Sequence, residues 1–255
     1  MVEVWQKRYN LLGREKMDKI IEALNKGIDN SKIERQKVCI VTDIPYSPDV
    51  VDYLGIDLFH TSRGRAIPFA TGMKLANAKL KPVVLIGDMA TLGGNHFVHA
   101  CRRNMDVMVI CVNNFIYRKI AGETAPGNFD KVAFSPYLLF EKPLNIPHLA
   151  RSCGSIYVAR WTPLHTNELT KSISEALQRT GLSVIDVLSP PSSLFDFYYN
   201  NSEIKNDENT INVGIDEDKK IAVGKFFENE RPTFIDAYNK QLSEMLGDKF
   251  VKIEV

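Results

Sequence analysis

Residues 83–117 read VVLIGDMATLGGNHFVHACRRNMDVMVICVNNFIY. An apolar run at 83–86 stops at Gly87-Asp88, and a second at 107–112 stops at Asn113-Asn114. Short, unbroken runs rich in β-branched residues have the pattern of strands covered on both faces of a parallel sheet. Parallel strands need a crossover, and the Gly-opened segment 93–104 between the runs supplies one, giving a βαβ unit. Polar residues at the carboxyl ends of adjacent parallel strands fall where such sheets bind ligands. Asp88 and Asn114 are therefore expected in one crevice, one anionic oxygen beside one neutral oxygen. That pair suits Mg²⁺, which takes few protein ligands and completes its shell with water and phosphate. The plainer alternative is that Asp88 simply caps the helix that follows it.

The remainder of the chain repeats the alternation. The stripe Met17, Ile20, Ile21, Leu24 predicts a helix over 15–27 with Gly27 as its stop. Strands are expected at 37–42, 156–160 and 182–188, and a short strand or loop at 53–59. Helices are expected at 66–80, 146–153 and 166–180. The helix at 66–80 is rich in small residues, and its N–H groups would point into the crevice of Asp88. Residues 118–147 form a long connection broken by glycine and proline, a length usually tied to function or a partner. An irregular excursion at about 190–220, an edge strand at 221–227 and a terminal helix at about 232–247 complete one domain spanning 1–255. The terminal stripe Phe234, Tyr238, Leu242, Met245 reads as core or interface packing. The expected class is α/β: a doubly wound, mainly parallel sheet with helices on both faces.

The 255 residues suffice for one such domain, and 44% hydrophobic with 25% charged residues is ordinary for a soluble protein. A formal net charge of +1 gives no reason to expect nucleic acid or an anionic membrane as partner. No apolar run nears the ~20 residues needed to span a bilayer, and the first ten lack the apolar core of a signal peptide. A cytoplasmic location is the expectation. The four cysteines, Cys39, Cys101, Cys111 and Cys153, form no Cys-x-x-Cys pair. They read as buried free thiols.

Several blocks together resemble the β subunit of the 2-oxoacid:ferredoxin oxidoreductase family, its thiamine-diphosphate-binding subunit. These are His60-Thr61 with Gly64-Arg65-Ala66-Ile67, then Phe69-Ala70-Thr71-Gly72 with Lys74-Leu75-Ala76-Asn77, then Gly87-Asp88. Gly93-Gly94-Asn95-His96, His99-Ala100, Arg102-Arg103-Asn104 and Asn113-Asn114 with Ile116-Tyr117 follow. Val158-Ala159-Arg160, Glu168-Leu169-Thr170, Gly224 and Glu230-Arg231-Pro232-Thr233 extend the likeness to about residue 246.

The resemblance implies the thiamine-diphosphate-binding fold. It implies oxidative decarboxylation of a 2-oxoacid, of pyruvate or 2-oxoglutarate type, with electrons leaving through iron–sulfur clusters to ferredoxin and the acyl group going to coenzyme A. Asp88, Asn114 and the Ile116 carbonyl would bind Mg²⁺. Cofactor contacts would come from Tyr46, Ser47, Arg63, Gly64, Arg65, Gly87, Asp88, Met89, Asn114, Ile116, Arg118 and Lys119. His60 and Arg63 are the candidates for a catalytic role. The expected partners are the α subunit, which would complete the site, and further ferredoxin-like subunits. His96 and His99 fit packing better than catalysis, one turn apart on a helix.

The chain also departs from the family. The usual Gly-Asp-Gly-Asp is Gly87-Asp88-Met89-Ala90, Arg63 replaces a second histidine, and Arg118-Lys119-Ile120-Ala121-Gly122 stands where Gly-Met-Thr-Gly-Gly is usual. Family members hold a cluster on four cysteines. The expected positions, within 5–14, near Pro45-Tyr46 and near Ser189-Pro190, hold none. No iron–sulfur cluster is expected in this chain, because such clusters need thiolates. A non-oxidative decarboxylase subunit and a degenerate assembly subunit are the alternative readings.

Overall fold

The two runs that opened the sequence reading become β3 (Lys81–Ile86) and β4 (Met108–Asn113), adjacent and parallel, with Val83 opposite Met108 and Ile86 opposite Cys111. The structure, a computed structural model, describes residues 14–43, 53–87, 93–113, 144–189, 202–204 and 221–251. Among these, β1 (Val38–Thr42), β2 (Leu58–His60), β5 (Tyr157–Trp161), β6 (Ser183–Leu188), β7 (Ser202–Ile204) and β8 (Ile221–Glu228) complete an eight-stranded sheet. Its order is β2-β1-β3-β4-β6-β5-β8-β7, parallel throughout except where β8 runs antiparallel to β5.

Side chains alternate between two apolar layers, as period-two strands require. One layer sets Ile40, Leu85, Ile110, Ala159 and Ile185 against α1 (Arg14–Ser31) and α5 (Thr166–Gln178). The other sets Val41, Val84, Val109, Val158 and Val184 against α2 (Ala66–Ala76), α3 (Gly94–Arg103) and α4 (Ile146–Ser152). The expected doubly wound α/β class is the one found.

Three local expectations need correction. Gly27 does not stop α1, which runs on to Ser31. A Cβ at Gly27 would lie 2.6 Å from Ile173 Cγ2, so this glycine marks the close crossing of α1 and α5. α2 ends at Ala76 rather than 80, because the buried Lys74 amino group binds the carbonyl oxygens of Ala78 (2.6 Å) and Leu80 (2.7 Å) and folds the chain into a turn. β8 is not the outermost strand, since β7 pairs with its far side.

The terminal helix α6 (Phe234–Leu246) starts at a capping box between Thr233 and Asp236. Its stripe is only partly covered: Phe234 and Tyr238 stack at 6.0 Å, yet Tyr238 is 45% and Met245 74% exposed. No helix among the described residues is long and apolar enough to cross a membrane.

Candidate cofactor site at the carboxyl ends of β1, β3 and β4

Strand order fixes where a ligand can sit. From β1 the chain moves outward to β2 and then returns to place β3 on the other side. Connections that leave in opposite directions open a crevice above the carboxyl ends of β1 and β3, the switch point of a doubly wound sheet. Thr42-Asp43 and Ile86-Gly87 stand there, with the end of β4 beside them.

The loop after β2 is drawn into this crevice. Thr61 N–H donates to the Thr42 carbonyl (2.8 Å), tying the two strand ends together. The buried Asp43 carboxylate accepts from the Gly64 N–H through Oδ2 (2.9 Å). Gly64 has φ +68°, a left-handed conformation that costs glycine little. Gly93 follows at φ +60°, and a Cβ there would fall 2.5 Å from the Gly64 carbonyl oxygen. Both positions require glycine, for backbone shape at one and for close approach as well at the other.

Two helices begin at these residues. α2 follows Arg65 and α3 follows Gly93, and neither of these N-cap residues caps its helix with a side chain. Their N–H groups carry the positive ends of two helix dipoles to one rim of the crevice. Such an arrangement holds phosphate oxygens. Pro68 is tolerated in the first turn of α2, where an N–H has no intrahelical partner. These features fit a diphosphate: glycines where a backbone approaches closely, and two helix starts whose N-cap residues supply no side-chain cap.

Of the residues proposed from sequence, Gly64 and Gly87 are brought together around the switch point. Gly87 is buried, and its carbonyl accepts from the Cys111 thiol (3.0 Å), which locks the end of β3 to β4. Arg65 is exposed and folds its guanidinium back to the Gly64 carbonyl (3.2 Å). Arg63 and His60 are exposed, His60 at the end of edge strand β2. His96 is half-buried, its ring beside Gly93, and His99 is exposed. Tyr46, Ser47, Asp88, Met89, Asn114, Ile116, Arg118 and Lys119 lie outside the described residues.

Two groups were missed in the sequence. Asp43 reads as an ordinary turn residue, and only the fold shows it holding Gly64. Asp186, in the middle of β6, is fully buried and paired with Arg160 of β5 through Nε (2.9 Å). Burial lifts its carboxyl above the ordinary range, while Arg160 and then the Asn113 side chain pull it down. An ionisable residue inside SVIDVL was the available signal.

Elsewhere, His165 at the start of α5 contacts Thr162 Oγ1 through Nδ1 (2.8 Å), and partial burial lowers its pKa. A groove between α1 and α5, bordered by Lys26, Asn30, Thr170 and Glu175, lies on the other face of the sheet and gathers no catalytic set. All four cysteines fall among the described residues: Cys39, Cys101 and Cys111 are buried and Cys153 is half-buried. Burial pushes the Cys39 thiol up to about 11 and that of Cys101 higher still, so both are poor thiolates.

Comparison with known proteins agrees with this geometry. The family described as thiamine pyrophosphate enzyme, C-terminal TPP binding domain matches residues 48–187. The chain is 34% identical to the 2-oxoglutarate synthase subunit KorB of Methanocaldococcus jannaschii, over 90% of this chain and 91% of that one. It is 35% identical to the KorB subunit of Archaeoglobus fulgidus, over 87% and 81%. Among solved structures, 2-oxoglutarate:ferredoxin oxidoreductase from Magnetococcus marinus, with 2-oxoglutarate, coenzyme A and succinyl-CoA bound, shares the fold. Its TM-score is 0.74 at 22% identity, over 89% of this chain and 85% of that one.

Proposed function

The chain belongs to the β-subunit family of the 2-oxoacid:ferredoxin oxidoreductases, and from that premise we propose the part it plays. It is the thiamine-diphosphate-holding half of a complex that oxidatively decarboxylates a 2-oxoacid of 2-oxoglutarate type to its acyl-CoA. The observation that carries this reading is the glycine-to-glycine approach of Gly93 and Gly64 over the ends of β1 and β3, with two uncapped helix starts beside it.

When bound, thiamine diphosphate supplies the electron sink for decarboxylation. The chain's own residues hold and orient it. The N–H groups at the starts of α2 and α3 receive the diphosphate. Asp43 fixes the loop that presents Gly64, so the cradle is set before the cofactor arrives. Asp88, Asn114 and the Ile116 carbonyl are the proposed Mg²⁺ ligands, two oxygen-bearing side chains and one backbone oxygen. A hard cation that keeps its other positions for water and phosphate fits this set. Arg65, folded against Gly64, adds positive charge at the rim.

The described residues offer no complete acid–base set over the crevice, which fits a site completed by an α subunit. Electrons leave through clusters of partner subunits, since Cys39, Cys101 and Cys111 are buried and the four cysteines form no Cys-x-x-Cys pair. The test is the intact complex purified from its source and supplied with 2-oxoglutarate or pyruvate, coenzyme A and a ferredoxin. The expected result is ferredoxin reduction dependent on coenzyme A, faster with 2-oxoglutarate. Carbon dioxide released without ferredoxin reduction would contradict the oxidative reaction, and no turnover with any 2-oxoacid would overturn the catalytic reading.

A further inference from the structure

Arginines flank Gly64 on both sides, and their guanidinium groups end in different places. The Arg65 N–H donates to the Ser62 carbonyl (3.1 Å) and closes a turn over 62–65. Gly64 stands third in that turn at φ +68°, a position glycine fills at no steric cost. Its N–H is held by Asp43 (2.9 Å), and its carbonyl lies against Gly93. The turn is thereby fastened to the end of β1 on one side and to the start of α3 on the other. Arg65 folds its guanidinium back to the Gly64 carbonyl (3.2 Å). Arg63, at the corner of the turn, is exposed and makes no hydrogen bond or ion pair with the described residues. A fixed backbone therefore carries an unengaged guanidinium on the rim of the crevice.

A planar, always charged fork matches a carboxylate bidentately. The anions this crevice must take are the diphosphate, the carboxylate beside the keto carbon and, in a substrate of 2-oxoglutarate type, a distal carboxylate. The diphosphate already has its receivers in the starts of α2 and α3, with Arg65 at hand. The carboxylate beside the keto carbon leaves as carbon dioxide. An arginine holding it would stabilise the ground state more than the transition state, where that charge disperses, and would slow its loss. The distal carboxylate keeps its charge throughout. Pairing with it binds substrate and transition state alike, which sets the choice of acid without opposing the chemistry.

We propose that Arg63 is a specificity-determining residue, receiving the distal carboxylate of a dicarboxylic 2-oxoacid at the mouth of the crevice. The proposal rests on the cofactor reading above, which puts the reacting carbon in that crevice. Glutamine at 63 keeps a polar side chain and removes the charge. Lysine keeps the charge and removes the fork. Both changes fall at an exposed corner and leave the core untouched.

The test uses the purified complex, native and carrying Arg63→Gln or Arg63→Lys, with 2-oxoglutarate and 2-oxopentanoate. These acids carry a carboxylate and a methyl group, respectively, at the same end of the same chain. The quantities measured are kcat and KM for each acid, thiamine diphosphate affinity by calorimetry, and 2-oxoglutarate affinity of the complex stripped of cofactor. The native complex should prefer 2-oxoglutarate. Arg63→Gln should lose that preference by on the order of tenfold to a hundredfold, the usual effect of removing a hydrogen bond to a charged group. The loss should fall on KM rather than kcat, with thiamine diphosphate affinity near the native value. Arg63→Lys should lie between. An unchanged preference in Arg63→Gln overturns the proposal. Weaker thiamine diphosphate binding with the preference kept also overturns it and assigns Arg63 to the diphosphate. If the native complex shows no turnover dependent on thiamine diphosphate, the cofactor reading fails, and the stripped complex then decides. There, 2-oxoglutarate affinity lost in Arg63→Gln upholds the carboxylate contact, and equal affinity overturns it.

Discussion

Asp43 Oδ2 accepts the Gly64 N–H at 2.9 Å across 21 residues of sequence, joining the end of β1 to the loop that opens α2. Removing this carboxylate leaves a buried N–H without its partner, which costs about 1–3 kcal/mol. Asp43→Ala should therefore lower stability by that order and weaken thiamine diphosphate binding. Asp43→Asn, which keeps an acceptor oxygen, should lose less of both. Thermal unfolding and calorimetric titration of the two variants check the order.

Gly93 and Gly94 are neighbours with opposite tolerances. Alanine at 93 would carry a left-handed φ of +60° and set its Cβ 2.5 Å from the Gly64 carbonyl. A left-handed backbone alone costs a non-glycine residue roughly 1–2 kcal/mol, and the clash moves the loop. Nothing lies within 4 Å of a Cβ at Gly94, in the first turn of α3. Gly93→Ala should lose cofactor affinity, whereas Gly94→Ala should retain it and gain up to about 1 kcal/mol from helix propensity. Equal affinities in the two variants would contradict the close-approach role.

Helix propensity also favours alanine over Gly27, but packing should win there. The Cβ would meet Ile173 Cγ2 at 2.6 Å. Overpacking costs typically 1–3 kcal/mol against a propensity gain of at most about 1. Gly27→Ala should be destabilising, and adding Ile173→Ala should recover part of the loss. Denaturant titrations of both singles and the double variant measure the coupling.

His165 gives a pH dependence of known sign. Partial burial lowers its pKa from the ordinary 6.5, with the Glu168 charge opposing. A depressed folded value means that the stability it contributes is present above about pH 6.5 and is lost as pH falls through the lowered value. His165→Gln should flatten unfolding free energy against pH in that acidic window and leave its slope unchanged near pH 8.

The sheet was legible because its strands are covered on both faces, which writes them as unbroken apolar runs such as VVLI and VICV. Helix ends were less so. Gly27 carries the local signature of a stop, yet the crossing with α5 needs a glycine in mid-helix. The end of α2 depends on the Lys74 amino group reaching forward to the carbonyls of Ala78 and Leu80, and no periodicity records that. The site was half legible. Gly64 and Gly87 stood out as motif residues. Asp43 and the Arg160–Asp186 pair did not, because their meaning lies in partners from other strands.

The central claim is that the crevice between β1 and β3 holds magnesium thiamine diphosphate. The direct measurement is the melting temperature of the purified complex, with and without both ligands, for the native chain and for Asp88→Ala. A ligand bound only to the native state, present at about 100 times its Kd, stabilises by roughly 2.7 kcal/mol. The expected result is a clear upward shift for the native complex and little or none for Asp88→Ala. No shift in the native complex, or an equal shift in the variant, would contradict the claim.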